Sequence, residues 1–465
     1  MLEYYLAVDI GASSGRHILG SLEDGKLSLT EIHRFENSLI KKDSHLCWDI
    51  KSLFNEIKTG IIKCKECGKI PVSMGIDTWA VDHVLLDKDD NILGNTYAYR
   101  DNRTNGMDKI VYDMISEKEL YQRTGIAKQI FNTIFQLRAV KEQEPEIMEQ
   151  AESMLLLPDY FHYLLTGVKK TEYTNASTTQ LVNAKTKDWD MEVIERLGFK
   201  KSIFGIISKP GSCVGKFTKE IEEEVGFSCK VVLPATHDTA SAVMAIPSVE
   251  ENNLYISSGT WSLMGTELLE ENTSEKSEAA NLTNEGGYDY RFRFLKNIMG
   301  LWMIQSVKRE LQENISFTEL CNRAEKETIP TIVNCNDDRF FAPDSMIQEI
   351  QAYCRENNLV VPETSGQIAA VIYNSLADCY RDTIKEIEDI TGVKYEIIYI
   401  VGGGANADYL NKLVAKYTGK TVYAGPGEAT AIGNIMAQLL EAGKFESLTD
   451  SRKNIYESFD IAIYN

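Results

Sequence analysis

The chain of 465 residues carries a formal net charge of −20 and is 43% hydrophobic. That length exceeds one ordinary hydrophobic core and implies two or three domains of a globular protein. The acidic balance excludes a broad nucleic-acid surface, and no run of about 18 apolar residues offers a membrane span; an anionic substrate would need a local site of backbone N–H groups, a metal and a few cations.

In chain order, residues 6–10 and 18–20 are apolar runs around Gly11-Ala12-Ser13-Ser14-Gly15-Arg16. This is the pattern of a buried β-hairpin. Gly11 and Gly15 are expected to supply backbone angles that other residues resist. Ala12, Ser13 and Ser14 add N–H groups and two hydroxyls, and such a turn can wrap phosphate oxygens. Asp9, at the end of the first strand, is placed to face a metal ion carried on those phosphates. The same residues also fit an ordinary glycine-rich hairpin with a solvated aspartate. Asp9 interrupts the apolar start, so no signal peptide is expected. The odd cysteine count of nine points to a reducing cytoplasm. Cys64 and Cys67 have no second pair and no nearby His, and read as surface thiols near a helix end.

Alternation over residues 25–37 continues the strands, and residues 53–62 have helical spacing. Residues 72–78 and 80–86 read as strands around Asp77-Thr78-Trp79. Residues 107–120, 134–150 and 160–165 read as helices, punctuated by Pro158 and Gly167. Residues 254–265 repeat the opening pattern of strand, Gly-Thr turn and strand, about 250 residues after it. Two related domains are therefore expected, 1–246 and 247–465. The second half carries helices over 301–311, 365–390, 408–417 and 429–440, with strands over 397–401 and 421–424.

Four constellations can carry chemistry. The paired hairpins can grip one polyphosphate. Thr236-His237-Asp238-Thr239 precedes a small-residue helix; Asp238 is either a helix cap or a general base, with His237 and Thr239 bonding a polyol. Gly402-Gly403-Gly404 follows a strand and precedes a helix, where bare backbone can lie against adenine or ribose. Gly402, Gly404 and Ala407 also fit a dinucleotide fingerprint, with Glu428 after the next strand. The stretch from Asn284 to Trp302 is either a packed strand-to-helix joint or a site in which Asn297 and Gln305 face a ligand. A Walker-type loop is missing, because Val414 stands where its first Gly would be.

These stretches together resemble the FGGY carbohydrate kinases, within the wider actin/Hsp70-like ATPase superfamily. The resemblance covers residues 8–16, 31–35, 75–86, 98–106, 158–161, 172–181, 237–243, 254–265, 284–287, 295–301, 336–340, 401–404 and 428–434. It implies an α/β fold of two ribonuclease-H-like domains flanking a deep cleft, with ATP and Mg²⁺. It implies a small-molecule ketose as substrate; charge and hydropathy give the expectation of no nucleic-acid or membrane partner, and the cysteines that of a cytoplasmic protein. By that likeness Ala12, Ser13, Ser14, Gly15, Arg16, Thr260, Gln305 and Gly403 contact the nucleotide. His237, Asp238, Thr239 and Asn297 contact the sugar, and Asp238 accepts the proton. Ala80 stands where the family usually has a sugar-contacting Gly, and His83 where Phe is common; the added methyl at Ala80 would narrow the sugar pocket.

Overall fold

Strands β1 (Tyr4–Ile10), β2 (Ser14–Glu23) and β3 (Lys26–Glu36) form an antiparallel meander in the computed structural model, which describes residues 2–250 and 252–465. Tyr5 to Ile10 are all buried, as expected of a central strand covered on both faces. Helix α1 (Ile50–Glu66) starts where the Asp49 carboxylate accepts the Ser52 N–H, and it buries Leu53, Ile57, Ile61 and Cys64; of the two thiols expected at the surface only Cys67 is exposed, because Cys64 falls on the apolar face of the helix. The four buried residues share one face at helical spacing, and each apolar side chain so buried contributes about 1.5–3 kcal/mol. The chain then enters β4 (Pro71–Thr78), which pairs in parallel with β1 and sets Asp9 opposite Asp77. With β5 (Cys213–Lys216) and β6 (Lys230–Val232), the sheet order is β5-β6-β4-β1-β2-β3. Helix α2 (Asp238–Met244) follows β6.

The second unit repeats this plan. Strand β7 (Leu254–Ser258) pairs antiparallel with β8 (Trp261–Leu268) and parallel with β10 (Ile397–Val401), which pairs in parallel with β11 (Thr421–Ala424). With β9 (Phe292–Met299) and β12 (Ala462–Tyr464), six of the seven strands of this sheet run in the order β9-β8-β7-β10-β11-β12. Helices α3 (Trp302–Glu310), α4 (Ser365–Thr391) and α5 (Asp408–Thr418) belong to this unit.

The units are not contiguous in sequence. The first takes Met1–Ala245, Leu268–Phe294 and Thr430–Ser458; the second takes Ile246–Glu267, Leu295–Ala429 and Phe459–Asn465. Helix α6 (Ala429–Glu441) explains part of this division. Its Asn434 amide donates to Asp77 Oδ2 at 2.6 Å and to Gly75 O at 3.1 Å. One turn later Gln438 donates to Leu6 O at 2.9 Å and accepts from the Ser73 hydroxyl at 2.7 Å. Gly433 lets α6 press on α2, since a Cβ there would overlap the Ser241 backbone.

Most expected elements are present, with three local differences. Residues 107–120 and 134–150 each divide into two short helices, Met107–Tyr112 and Glu117–Thr124, then Thr133–Gln143 and Pro145–Gln150. The strand expected over 80–86 is His83–Leu86 alone; it pairs with Ser153–Leu156 outside the main sheet. Residues 80–82 form a turn, and its backbone is what the alternation pattern concealed.

Candidate active site

The first hairpin turns between Ile10 and Gly15. Gly11 N donates to Ser14 O at 2.9 Å, while Asn37 donates from its backbone to Ser13 O at 3.1 Å and from its side chain to Gly11 O at 2.9 Å. Ser13 and Ser14 are exposed, and the Ala12 and Ser13 N–H groups meet no acceptor among the described residues. The turn thus presents free donors, as a phosphate-binding loop must. The expected role of its glycines is corrected: neither Gly11 nor Gly15 has a positive φ. Gly15 is required by packing, because a Cβ would overlap the Phe35 ring, whereas one at Gly11 would meet only Ser14 O at 3.4 Å.

Arg16 donates from Nε to Asp9 Oδ2 at 2.9 Å, and its Nη2 lies 2.9 Å from the same oxygen. Asp77, beside Asp9 in the sheet, gives Oδ2 to Asn434 and leaves Oδ1 buried without a hydrogen-bond partner. Burial first, then the nearby Asp9 charge, pushes the Asp77 carboxyl well above its ordinary range. An orphaned carboxylate oxygen next to a second carboxylate fits a hard cation. Among the described residues no cluster of three or more His, Cys, Asp or Glu can hold a metal. A cation here would complete its shell with phosphate oxygens and water, which is how Mg²⁺ is usually held.

Asp238 opens α2. Its Oδ1 accepts from Thr239 N at 2.6 Å and from the Thr239 hydroxyl at 3.2 Å, while Oδ2 accepts nothing from the described residues. One oxygen is therefore held by the neighbouring Thr239 and the other stays available; the cap position is His237, not Asp238. Burial raises the Asp238 carboxyl; His237 opposes that and Asp9 adds to it. The loop leading to Asp238 hangs on Glu172, whose Oε2 accepts from Thr236 N at 3.0 Å and from the Thr236 hydroxyl at 2.7 Å. Thr78 N donates to Thr236 O at 3.0 Å, which ties the loop to the end of β4. His237 packs on Glu285 and Arg293, with Arg293 Nη2 2.9 Å from His237 Nδ1.

Past Thr78 the chain makes a tight γ-turn. Asp82 N donates to Ala80 O at 2.9 Å, and Val81 between them has φ +67. A positive φ in a β-branched residue is strained. The turn is held by the Thr133 hydroxyl on Val81 O at 2.7 Å and by four donors on the Asp82 carboxylate: the Trp48 and Trp79 indoles, Tyr99 N–H and the Gln136 amide. The positive φ thus falls on Val81 rather than on half-exposed Ala80. His83 lines a separate cavity of about 20 Å³ with Tyr97, Arg103 and Glu144.

In the second unit the hairpin runs from Ser258 to Ser262, with Gly259 N donating to Trp261 O at 2.9 Å. Leu301 N and Trp302 N donate to Gly259 O and Thr260 O at 3.0 and 3.1 Å, and a Cβ on Gly300 would come 2.5 Å from Trp261. This joins the hairpin to the β9–α3 corner, so Thr260, Asn297 and Gln305, all half-exposed or half-buried, are carried on connected segments. Gly402 has φ +82, Gly403 is exposed, and Gly404 lies so close to Ser258 that a side chain would overlap it. The dinucleotide reading of this glycine run is not supported, because the unit has an antiparallel meander followed by parallel strands and not two βαβαβ halves.

Two family models, the N-terminal and C-terminal domains of the FGGY family of carbohydrate kinases, match residues 4–245 and 254–442. The chain belongs to the FGGY family of carbohydrate kinases. This FGGY kinase is 52% identical to the rhamnulokinase of Halalkalibacterium halodurans, over 100% of its own length and 99% of that protein's. It is 44% identical to the rhamnulokinase of Bacillus subtilis, over 99% and 95%. The FGGY kinase fold is also that of gluconate kinase from Lactobacillus acidophilus, with a TM-score of 0.81 at 17% identity over 100% and 94% of the chains. Plasmodium falciparum glycerol kinase with ADP gives a TM-score of 0.76 at 14% identity over 99% and 94%.

Sequence reasoning missed Glu172, Glu285 and Arg293 as supports of the Thr236–His237 segment. Each is a buried charged residue, and burial of these residues was not visible in a single sequence. No helix among the described residues is long and apolar enough to cross a membrane.

Proposed function

We propose that this carbohydrate kinase transfers the γ-phosphoryl group of ATP to the C1 hydroxyl of L-rhamnulose, giving L-rhamnulose 1-phosphate and ADP, in the cytoplasm. Full-length identity of 52% to a rhamnulokinase supports the substrate. The observation that carries the chemistry is the half-free Asp238 carboxylate beside His237. A ketose hydroxyl is a poor nucleophile at neutral pH, and Asp238 Oδ2 accepts its proton as the oxygen attacks the γ-phosphorus in line. Burial raises the affinity of Asp238 for that proton. His237, Thr239, Asn297 and the Ala80 backbone orient the sugar.

The free N–H groups of Ala12 and Ser13, with Ser14, Gly15 and Arg16, bind phosphate oxygens and counter the charge that spreads onto them. Thr260, Gln305 and Gly403 contact the rest of the nucleotide. Asp9, with Asp77 beside it, would hold Mg²⁺, which when bound neutralises phosphate charge. Residues 1–246 and 247–465 are the two related domains of this reading, with segments 268–294 and 430–458 of the second half belonging to the first compact unit.

An ADP-release assay across L-rhamnulose, L-fuculose, D-xylulose, L-ribulose and glycerol tests the reading. The highest kcat/KM belongs to L-rhamnulose. Preference for L-fuculose or D-xylulose replaces the substrate, NAD(H) absorbance change with a polyol replaces the reaction by a dehydrogenase, and absence of ADP with every ketose leaves a non-catalytic ATP sensor.

A further inference from the structure

Against His237, one of the proposed sugar contacts, packs a buried ion pair, Glu285 and Arg293, that the chemistry above does not use. Arg293 is fully buried, and Glu285 and His237 are nearly so. Arg293 donates from Nε to Gly286 O at 2.8 Å; its Nη2 lies 3.0 Å from Glu285 Oε2 and 2.9 Å from His237 Nδ1. The opposite ring nitrogen, His237 Nε2, lies 3.5 Å from Asp238 Oδ1.

A guanidinium can only donate. At 2.9 Å it requires a lone pair on Nδ1, so the neutral ring carries its proton on Nε2. The rival arrangement has Nδ1–H donating to Glu285 Oε2, but that separation is 3.4 Å, and it would set two donors against each other across the shorter gap. Burial favours the protonated Glu285 carboxyl, yet Arg293 first and His237 after it hold the group below its ordinary range, so Glu285 remains the counter-ion of Arg293.

We propose that Arg293 is a positioning residue that fixes His237 as the Nε2–H tautomer, directing a donor towards the ketose and leaving Asp238 as the proton acceptor. This rests on the kinase reading for its consequence but not for its structural content. The test is ¹⁵N NMR of the full chain labelled at histidine, with His237 assigned by the loss of its signals in His237→Gln. Wild type is expected to show a bare Nδ1 and a protonated Nε2. In Arg293→Met the proton moves to Nδ1, and the KM for the ketose rises about tenfold to a hundredfold, the worth of one charge-assisted hydrogen bond, with the KM for ATP unchanged; Arg293→Lys restores part of both. A proton on Nδ1 or on both nitrogens in wild type overturns the proposal even if no variant folds, as does an Arg293→Met enzyme with the same tautomer and ketose KM. Absence of turnover with any ketose in wild type defeats the kinase reading while leaving the tautomer measurement intact.

Discussion

The backbone N–H of Asp82 reaches back to the carbonyl of Ala80 at 2.9 Å and closes a turn around a strained valine. The Asp82 carboxylate holds that turn through four donors. Asp82→Ala orphans the Trp48, Trp79 and Tyr99 N–H groups, while Gln136 keeps Phe131 O, and is expected to cost about 3 kcal/mol or more of folding stability. Urea unfolding measures this; a loss below about 1 kcal/mol would show that the network does not hold the turn.

Burial raises the Asp82 carboxyl to about 6 from 3.8, against the pull of Trp48, Gln136, Trp79 and Tyr99. A carboxyl raised on folding binds its proton more tightly in the native state, so stability falls as pH rises from about 4 to 6. Relative to Asp82→Asn, wild type is expected to lose on the order of 3 kcal/mol across that window and nothing further above it. Chemical denaturation at a series of pH values reads the difference, and a flat difference from pH 4 to 6 contradicts the assignment.

These two residues also show where sequence reading stops. The two hairpins and the short helix after Asp238 were legible, because glycine spacing, apolar runs and a carboxylate before small residues leave local marks. The Ala80–Asp82 turn left none: Val81 looks like a strand residue, and its positive φ is imposed by Thr133 and Gln136, more than 50 residues away. Arg293 and Glu285 were hidden for the same reason, since charged residues in a polar stretch resemble solvated ones until packing buries them.

The proposed sugar contact at Ala80 bears on substrate choice. Its backbone needs no left-handed angle, so Ala80→Gly is expected to fold while widening the site by one methyl. One methyl is worth about 1–3 kcal/mol of discrimination, and the kcat/KM ratio of L-rhamnulose to L-fuculose is expected to fall about tenfold or more. An unchanged ratio would place Ala80 outside the sugar pocket.

The two glycines of the first turn are separable. Gly15→Ala drives a methyl into Phe35 and is expected to cost about 1–3 kcal/mol, whereas Gly11→Ala meets only an ordinary contact and is expected to stay within about 0.5 kcal/mol of wild type. Thermal unfolding of the pair checks this, and equal losses would contradict the packing argument.

The most direct measurement is single-turnover phosphorylation of L-rhamnulose by Asp238→Asn with ATP saturating. Loss of the proton acceptor is expected to slow the chemical step about 10²–10⁴-fold while ketose and ATP affinities stay near wild type. A rate within threefold of wild type would contradict Asp238 as the base.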